Sequence, residues 1–126
     1  MNNLRNHPRI KAILPCEVRH GSDYRLAVTT INLSLTGMMV KATQADFKAI
    51  ITRQHQLALR QPVEADVRLE LMHKDQSHII DSLCRAIYVR RISQNKYHIG
   101  FKFLNISPSN EETINTYILT HLKHGS

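Results

Sequence analysis

Residues 63–71 alternate without a break: Val63, Ala65, Val67, Leu69 and Leu71 interleave with Glu64, Asp66, Arg68 and Glu70. Successive side chains of an extended strand point to opposite faces, so such a stretch has one face for a core and one for water. The same period of two runs through most of the chain. Ala12, Leu14, Cys16 and Val18 alternate with Ile13, Pro15, Glu17 and Arg19, and Tyr24, Leu26 and Val28 share a side of the next run, 24–31. Met38 to Ala42 reads as a short strand, 78–92 as a longer one, and Tyr97, Ile99, Phe101 and Phe103 mark a last one. The segments between them, 20–23, 32–37, 74–77 and 93–96, are rich in Gly, Ser, Asn and Asp, the residues of turns. About six strands joined by short turns describe an antiparallel barrel or sandwich.

Two segments depart from that period. Phe47, Ile50 and Ile51 stand at helical spacing within 44–54, which predicts a short amphipathic helix. Over 109–124, Ser109 and Glu112 fit a capping box, Ile114, Tyr117, Ile118 and Leu122 form a stripe, and Gly125 follows as a stop. A C-terminal helix packed on the strands is expected there.

Composition bounds the function. A chain of 126 residues with 42% hydrophobic residues builds one ordinary core, and no apolar run approaches the ~20 residues that span a bilayer. Cys16 and Cys84 alone make neither a disulfide framework nor a zinc site, and both fall on strands as small core residues. The start, Met1-Asn2-Asn3-Leu4-Arg5, has no apolar leader region, so a soluble cytoplasmic protein with reduced thiols is expected. Eight His form no HExxH or paired Cys/His spacing, and His121 and His124 read as surface residues. Ser34 has no GxSxG context and no Gly-rich phosphate loop occurs. An enzyme, a metal site and a bound cofactor are therefore not expected. The net charge of +7 favours an anionic partner.

Two motifs carry chemistry suited to an anion. The first is Arg5-Asn6-His7-Pro8-Arg9, in a stretch with no acid before Glu17. Pro8 lacks an amide donor and pushes His7 toward extended geometry, so the arm is not a regular helix. Arg suits phosphate and the guanine O6/N7 edge because its planar fork binds both bidentately. Taken alone, the pair equally describes a frayed basic terminus. The second motif is Asn32-Leu33-Ser34-Leu35-Thr36-Gly37, at a strand end. On an extended backbone Asn32 and Ser34 share a face, offering an amide and a hydroxyl to a base edge or phosphate. Gly37 permits a positive φ where the chain reverses. An ordinary Asx/Ser turn without a ligand has the same residues.

In this order, Arg5-x-x-x-Arg9 followed by Asn32-x-Ser34-x-x-Gly37 resembles the PilZ domain family, whose pattern is RxxxR and then (D/N)xSxxG. The resemblance extends to the alternating strand at 63–73, to Gly100-Phe101-Lys102-Phe103 and to the C-terminal helix. It implies a mainly β fold, a six-stranded antiparallel β-barrel with a short helix in the 43–60 connection and a C-terminal α-helix. It divides the chain into a flexible ligand-binding arm, 1–11, and a barrel domain, 12–126. It implies cyclic di-GMP as ligand, with Arg5 and Arg9 on guanine edges and phosphates, and Asn32, Ser34 and Gly37 lining the barrel side. His7 lies inside the first motif and is a further candidate contact. Asn32 stands where Asp is commoner, and a neutral amide is a weaker acceptor than a carboxylate. Leu4 precedes Arg5 where the family's two-ligand type has Arg, which implies one ligand per chain. The 43–60 segment is longer than usual, and its helix is expected to lid one barrel end.

The function so implied is a non-catalytic cyclic di-GMP receptor that passes second-messenger level to a downstream protein in motility, exopolysaccharide or virulence control. The alternative is a PilZ-like protein–protein adaptor that no longer binds nucleotide. A barrel for single-stranded nucleic acid would need exposed aromatic platforms. The three Phe and four Tyr fall mostly at core phases, which argues against a nucleic acid polymer.

Overall fold

The computed structural model describes residues 8–21, 24–52 and 63–124. Six strands form: β1 (Ile10–His20), β2 (Tyr24–Leu33), β3 (Gly37–Ala42), β4 (Glu64–His73), β5 (Gln76–Ser93) and β6 (Lys96–Phe103). All pairings are antiparallel, and the order β1-β2-β3-β6-β5-β4 closes on itself through Cys16–Arg19 of β1 against Asp66–Leu69 of β4. The closed circuit removes most of the exposed strand edge that an open sheet would carry.

The alternation read from sequence becomes inside and outside. Ala12, Leu14, Cys16 and Val18 of β1 are buried, as are Ala65, Val67, Leu69 and Leu71 of β4, and both sets join one core. Hairpin chemistry sets the register. Lys74 and Asp75 both have positive φ (54° and 64°) between the paired His73 and Gln76, the geometry of a tight two-residue turn that follows the strand twist. Outside, Arg68 forks onto Asp81 (2.8 and 3.3 Å) and Arg85 onto Glu64 (2.9 Å), cross-strand pairs of opposite charge.

The 44–54 expectation resolves into a shorter helix, α1 (Gln44–Phe47), that widens into a π-turn, Lys48–Thr52. The Asp46 amide donates to the Thr43 hydroxyl at 3.1 Å, which caps α1. Phe47 stacks on Tyr97 with centroids 4.1 Å apart and planes 5° apart, and Ile50 is fully buried. Residues 44–52 thus lid one end of the barrel; the rest of the 43–60 connection, 53–60, lies outside the described residues.

The second helix, α2, spans Pro108–His124. Its cap is Ser107, whose hydroxyl accepts the Asn110 amide at 3.1 Å, with Pro108 in the first turn where a missing amide costs nothing. The expected capping box at Ser109 and Glu112 is therefore corrected: Ser109 is already helical and its carbonyl accepts the Thr113 hydroxyl at 3.1 Å. Ile114, Tyr117 and Ile118 are buried, but Leu122 stays 47% exposed, because the last turns run past the core. Among the described residues no helix is long and apolar enough to cross a membrane.

Candidate functional site

The two motifs meet. β1 and β2 pair so that Ile10 faces Leu33 and Lys11 faces Asn32, which folds the start of the chain back onto the 32–37 turn. Arg9, just ahead of β1, donates from Nη1 to Asn32 Oδ1 at 2.7 Å across 23 residues of sequence. The inward positions here are Ile10 and Leu33, both buried, so Arg9 and Asn32 stand on the outer face. A guanidinium carries five N–H donors in a planar fork. Asn32 takes one of them and fixes the plane, while the side chain remains exposed. The arrangement is a held cationic fork beside an amide, suited to a phosphate or to the edge of a purine. Leu4, Arg5 and His7 lie outside the described residues.

Ser34 and Gly37 differ in geometry from the sequence expectation. β2 ends at Leu33, so the two-residue rule that would place Ser34 beside Asn32 no longer applies. Ser34 is fully buried. Its amide donates to the Gly37 carbonyl at 2.8 Å, its hydroxyl to the same carbonyl at 3.3 Å, and it accepts the Thr36 amide at 3.3 Å. The serine ties the turn together, like the side chain of an ST-turn. Gly37 does not use positive φ; among the described residues the glycine with positive φ is Gly21 (53°). Its reason is steric: a Cβ on Gly37 would overlap the Phe101 carbonyl oxygen and lie 3.1 Å from Lys102 Cα. The bare glycine lets β3 start directly against β6.

Register adds residues that the motifs did not contain. Asn32 pairs with Met39, Met39 with Gly100, and Gly100 with Tyr88, so Lys11, Asn32, Met39, Gly100 and Tyr88 form one outward row over five strands. In sequence, the one hint was a glycine inside a strand, which marks a close approach of other atoms. Two residues along, Lys41, His98 and Arg90 form a parallel row. Burial, then Lys96, Arg90 and Lys41, hold the His98 imidazole below its usual 6.5. Inside the barrel, burial pushes the Cys16 and Cys84 thiols up to about 12, so they contribute packing rather than a nucleophile. Among the described residues no three His, Cys, Asp or Glu side chains gather as metal ligands.

The family model of the PilZ domain matches residues 3–120. The chain belongs to the PilZ domain family. Solved structures share its fold. The Bacillus subtilis inhibitor of motility (MotI/DgrA) superposes with a TM-score of 0.77 at 11% identity, covering 98% of this chain and 53% of that one. YcgR from Escherichia coli in complex with c-di-GMP gives 0.65 at 20% identity, covering 95% and 46%. The PilZ domain of YcgR with c-di-GMP gives 0.62 at 20% identity, covering 95% and 92%. This PilZ domain thus spans about half the length of MotI and of full YcgR. No curated protein matches it by sequence.

Proposed function

We propose that this PilZ domain is a receptor for cyclic di-GMP that carries out no chemistry on the ligand and signals occupancy to a downstream protein. The observation that supports this most directly is the 2.7 Å bond from Arg9 to Asn32, which joins the two ligand motifs on one outer face. The YcgR structures that share the fold hold c-di-GMP. In the proposed mechanism Arg9 directs its remaining donors at phosphate or the guanine O6/N7 edge, and the Asn32 amide meets the guanine N–H edge. Ser34 and Gly37 act one step back, by holding the turn and the β3–β6 seam that set Asn32 in place. Arg5 supplies the second fork. Because Ile10 and Lys11 already belong to β1, the expected 1–11 arm is corrected at that end; charge-assisted contacts from the two arginines hold the ligand, and the occupied face alters the surface a partner reads.

The test is isothermal titration with cyclic di-GMP, with GMP and cyclic di-AMP as controls. Selective binding at micromolar or tighter affinity and one ligand per chain is expected. Arg9→Ala should weaken it about 5- to 150-fold, equivalent to roughly 1–3 kcal/mol. A second reading is favoured by the burial of the Ser34 hydroxyl: the motif can be kept for the turn alone, in an adaptor that binds protein and not nucleotide. Absence of heat at millimolar ligand would reject the receptor and leave the adaptor.

A further inference from the structure

β5 is longer than the strand that covers it. It runs Gln76–Ser93, but β4 pairs with it over Gln76–Arg85 alone. The Ala86 amide donates to the Val63 carbonyl at 2.8 Å, one residue further on. β6 continues along the opposite edge as far as Ser93. Among the described residues, 87–93 therefore have a strand on one side only. A closed barrel removes strand edges, and here the closure lapses.

The overhang has no buried side chain. Residues directly opposite on paired strands share a face. Val89 pairs with Ile99 and Arg91 with Tyr97, both buried, so Val89 and Arg91 point the way of the core. With β4 ended, Val89 is nevertheless 40% exposed, and so is every residue of 87–93 exposed. Arg90 faces outward, opposite His98. Register breaks at Ala86/Tyr88 and Arg91/Ser93 place the exposed Ile87 and Ile92 at bulges, which bracket the regular stretch 88–91. Amides and carbonyls on the open side of such a strand are a template for one more strand.

Charge decides what that strand is. No Asp or Glu occurs between Asp81 and Glu111, a span that holds Arg85, Arg90, Arg91, Lys96 and Lys102. Arg85 pairs with Glu64, but among the described residues Arg90, Arg91 and Lys96 have no carboxylate partner. A second copy laid antiparallel on this edge would crowd Arg90 and Arg91 of both copies together, which like-charge repulsion opposes. An acidic strand is drawn in by the same field.

We propose that residues 87–93 of β5 are a docking edge for an extended acidic segment of a partner protein, which joins the sheet as a further strand. Carboxylates at alternate positions meet Arg90 on the outer face, and β-branched residues between them cover Val89 on the inner one. This docking needs no bound nucleotide and serves the receptor and the adaptor alike.

The probe is a fluorescein-labelled dodecapeptide repeating Glu-Val-Glu-Thr, added to the full chain without cyclic di-GMP. One control carries Lys for each Glu, and another has every backbone amide N-methylated, which removes the donors a strand needs. Anisotropy should show the acidic peptide binding about tenfold tighter than either control, or more. Hydrogen exchange of amides within 87–93 should slow about tenfold or more when it binds. Arg90→Glu should weaken the acidic peptide about fivefold or more. Equal affinity for the N-methylated peptide, protection confined to other strands, or no binding at millimolar peptide overturns the proposal. Sedimentation without peptide tests the other occupant. Dimerisation at rising protein concentration, with protection of 87–93, would assign the edge to a second copy and overturn the acidic partner.

Discussion

Gly37→Ala should destabilise this protein, because the added methyl has no room. An added Cβ would overlap the Phe101 carbonyl oxygen and come within 3.1 Å of both Phe101 C and Lys102 Cα. All three are backbone atoms of β6, so no rotamer change relieves the clash and the β3–β6 seam has to open. Overpacking of this kind costs about 1–3 kcal/mol. Opening also strains the bond from the Phe103 amide to the Thr36 carbonyl, 2.9 Å in the structure, which contributes about 1 kcal/mol. The sum, roughly 2–4 kcal/mol, is a large share of the 5–15 kcal/mol typical of a domain. With an unfolding entropy of about 2.1 cal/mol/K per residue, it lowers Tm by roughly 8–15 °C for a chain of this length. Urea denaturation with unchanged m-value, alongside calorimetry, measures it. A loss under about 0.5 kcal/mol would refute the steric account and return Gly37 to the role of a flexible turn residue.

Other outcomes follow from the same geometry. Ser34→Ala should cost about 0.5–1.5 kcal/mol in urea denaturation, because the Thr36 amide and the Gly37 carbonyl lose their hydroxyl partner while the carbonyl keeps the Ser34 amide; unchanged stability would free Ser34 for a ligand role. Cys16 and Cys84 should resist iodoacetamide in the native protein and react in urea, since burial pushes both thiols from 9.0 up to about 12. The unfolded chain then releases these protons first, so their stabilisation is complete below about pH 9 and fades toward pH 12, which Cys84→Ala should lessen in urea midpoints taken across that range. His98 works in the opposite direction. With its imidazole held below 6.5, the unfolded chain takes up the proton first, and stability falls as pH drops through 6.5. His98→Gln should flatten the difference in urea midpoint between about pH 7.5 and about pH 5, and an unchanged slope would count against the burial of His98 and its crowding by Lys96, Arg90 and Lys41.

Much of the fold was legible in the chain because a strand's side-chain period is a local property. Ala65, Val67, Leu69 and Leu71 are apolar at every second position, and the structure buries each one. The order of the two motifs likewise pointed to a family that the match over residues 3–120 establishes. Helix ends were less legible. Ser107 and Ser109 are two residues apart and both suit a cap, and only the position of the first helical turn selects Ser107.

The site shows the division most clearly. Sequence determined that Asn32, Ser34 and Gly37 would gather at a strand end, and that Arg9 would stand near the start of the first strand. It could not assign their work, because burial and close approach depend on what packs behind them. Gly37 answers to Phe101, 64 positions away in the numbering, and Ser34 is enclosed by its own turn once β2 stops at Leu33. Nor could it bring Tyr88 into line with Asn32. That adjacency needs four strands in register, and register is settled only when six antiparallel pairings close together around one core.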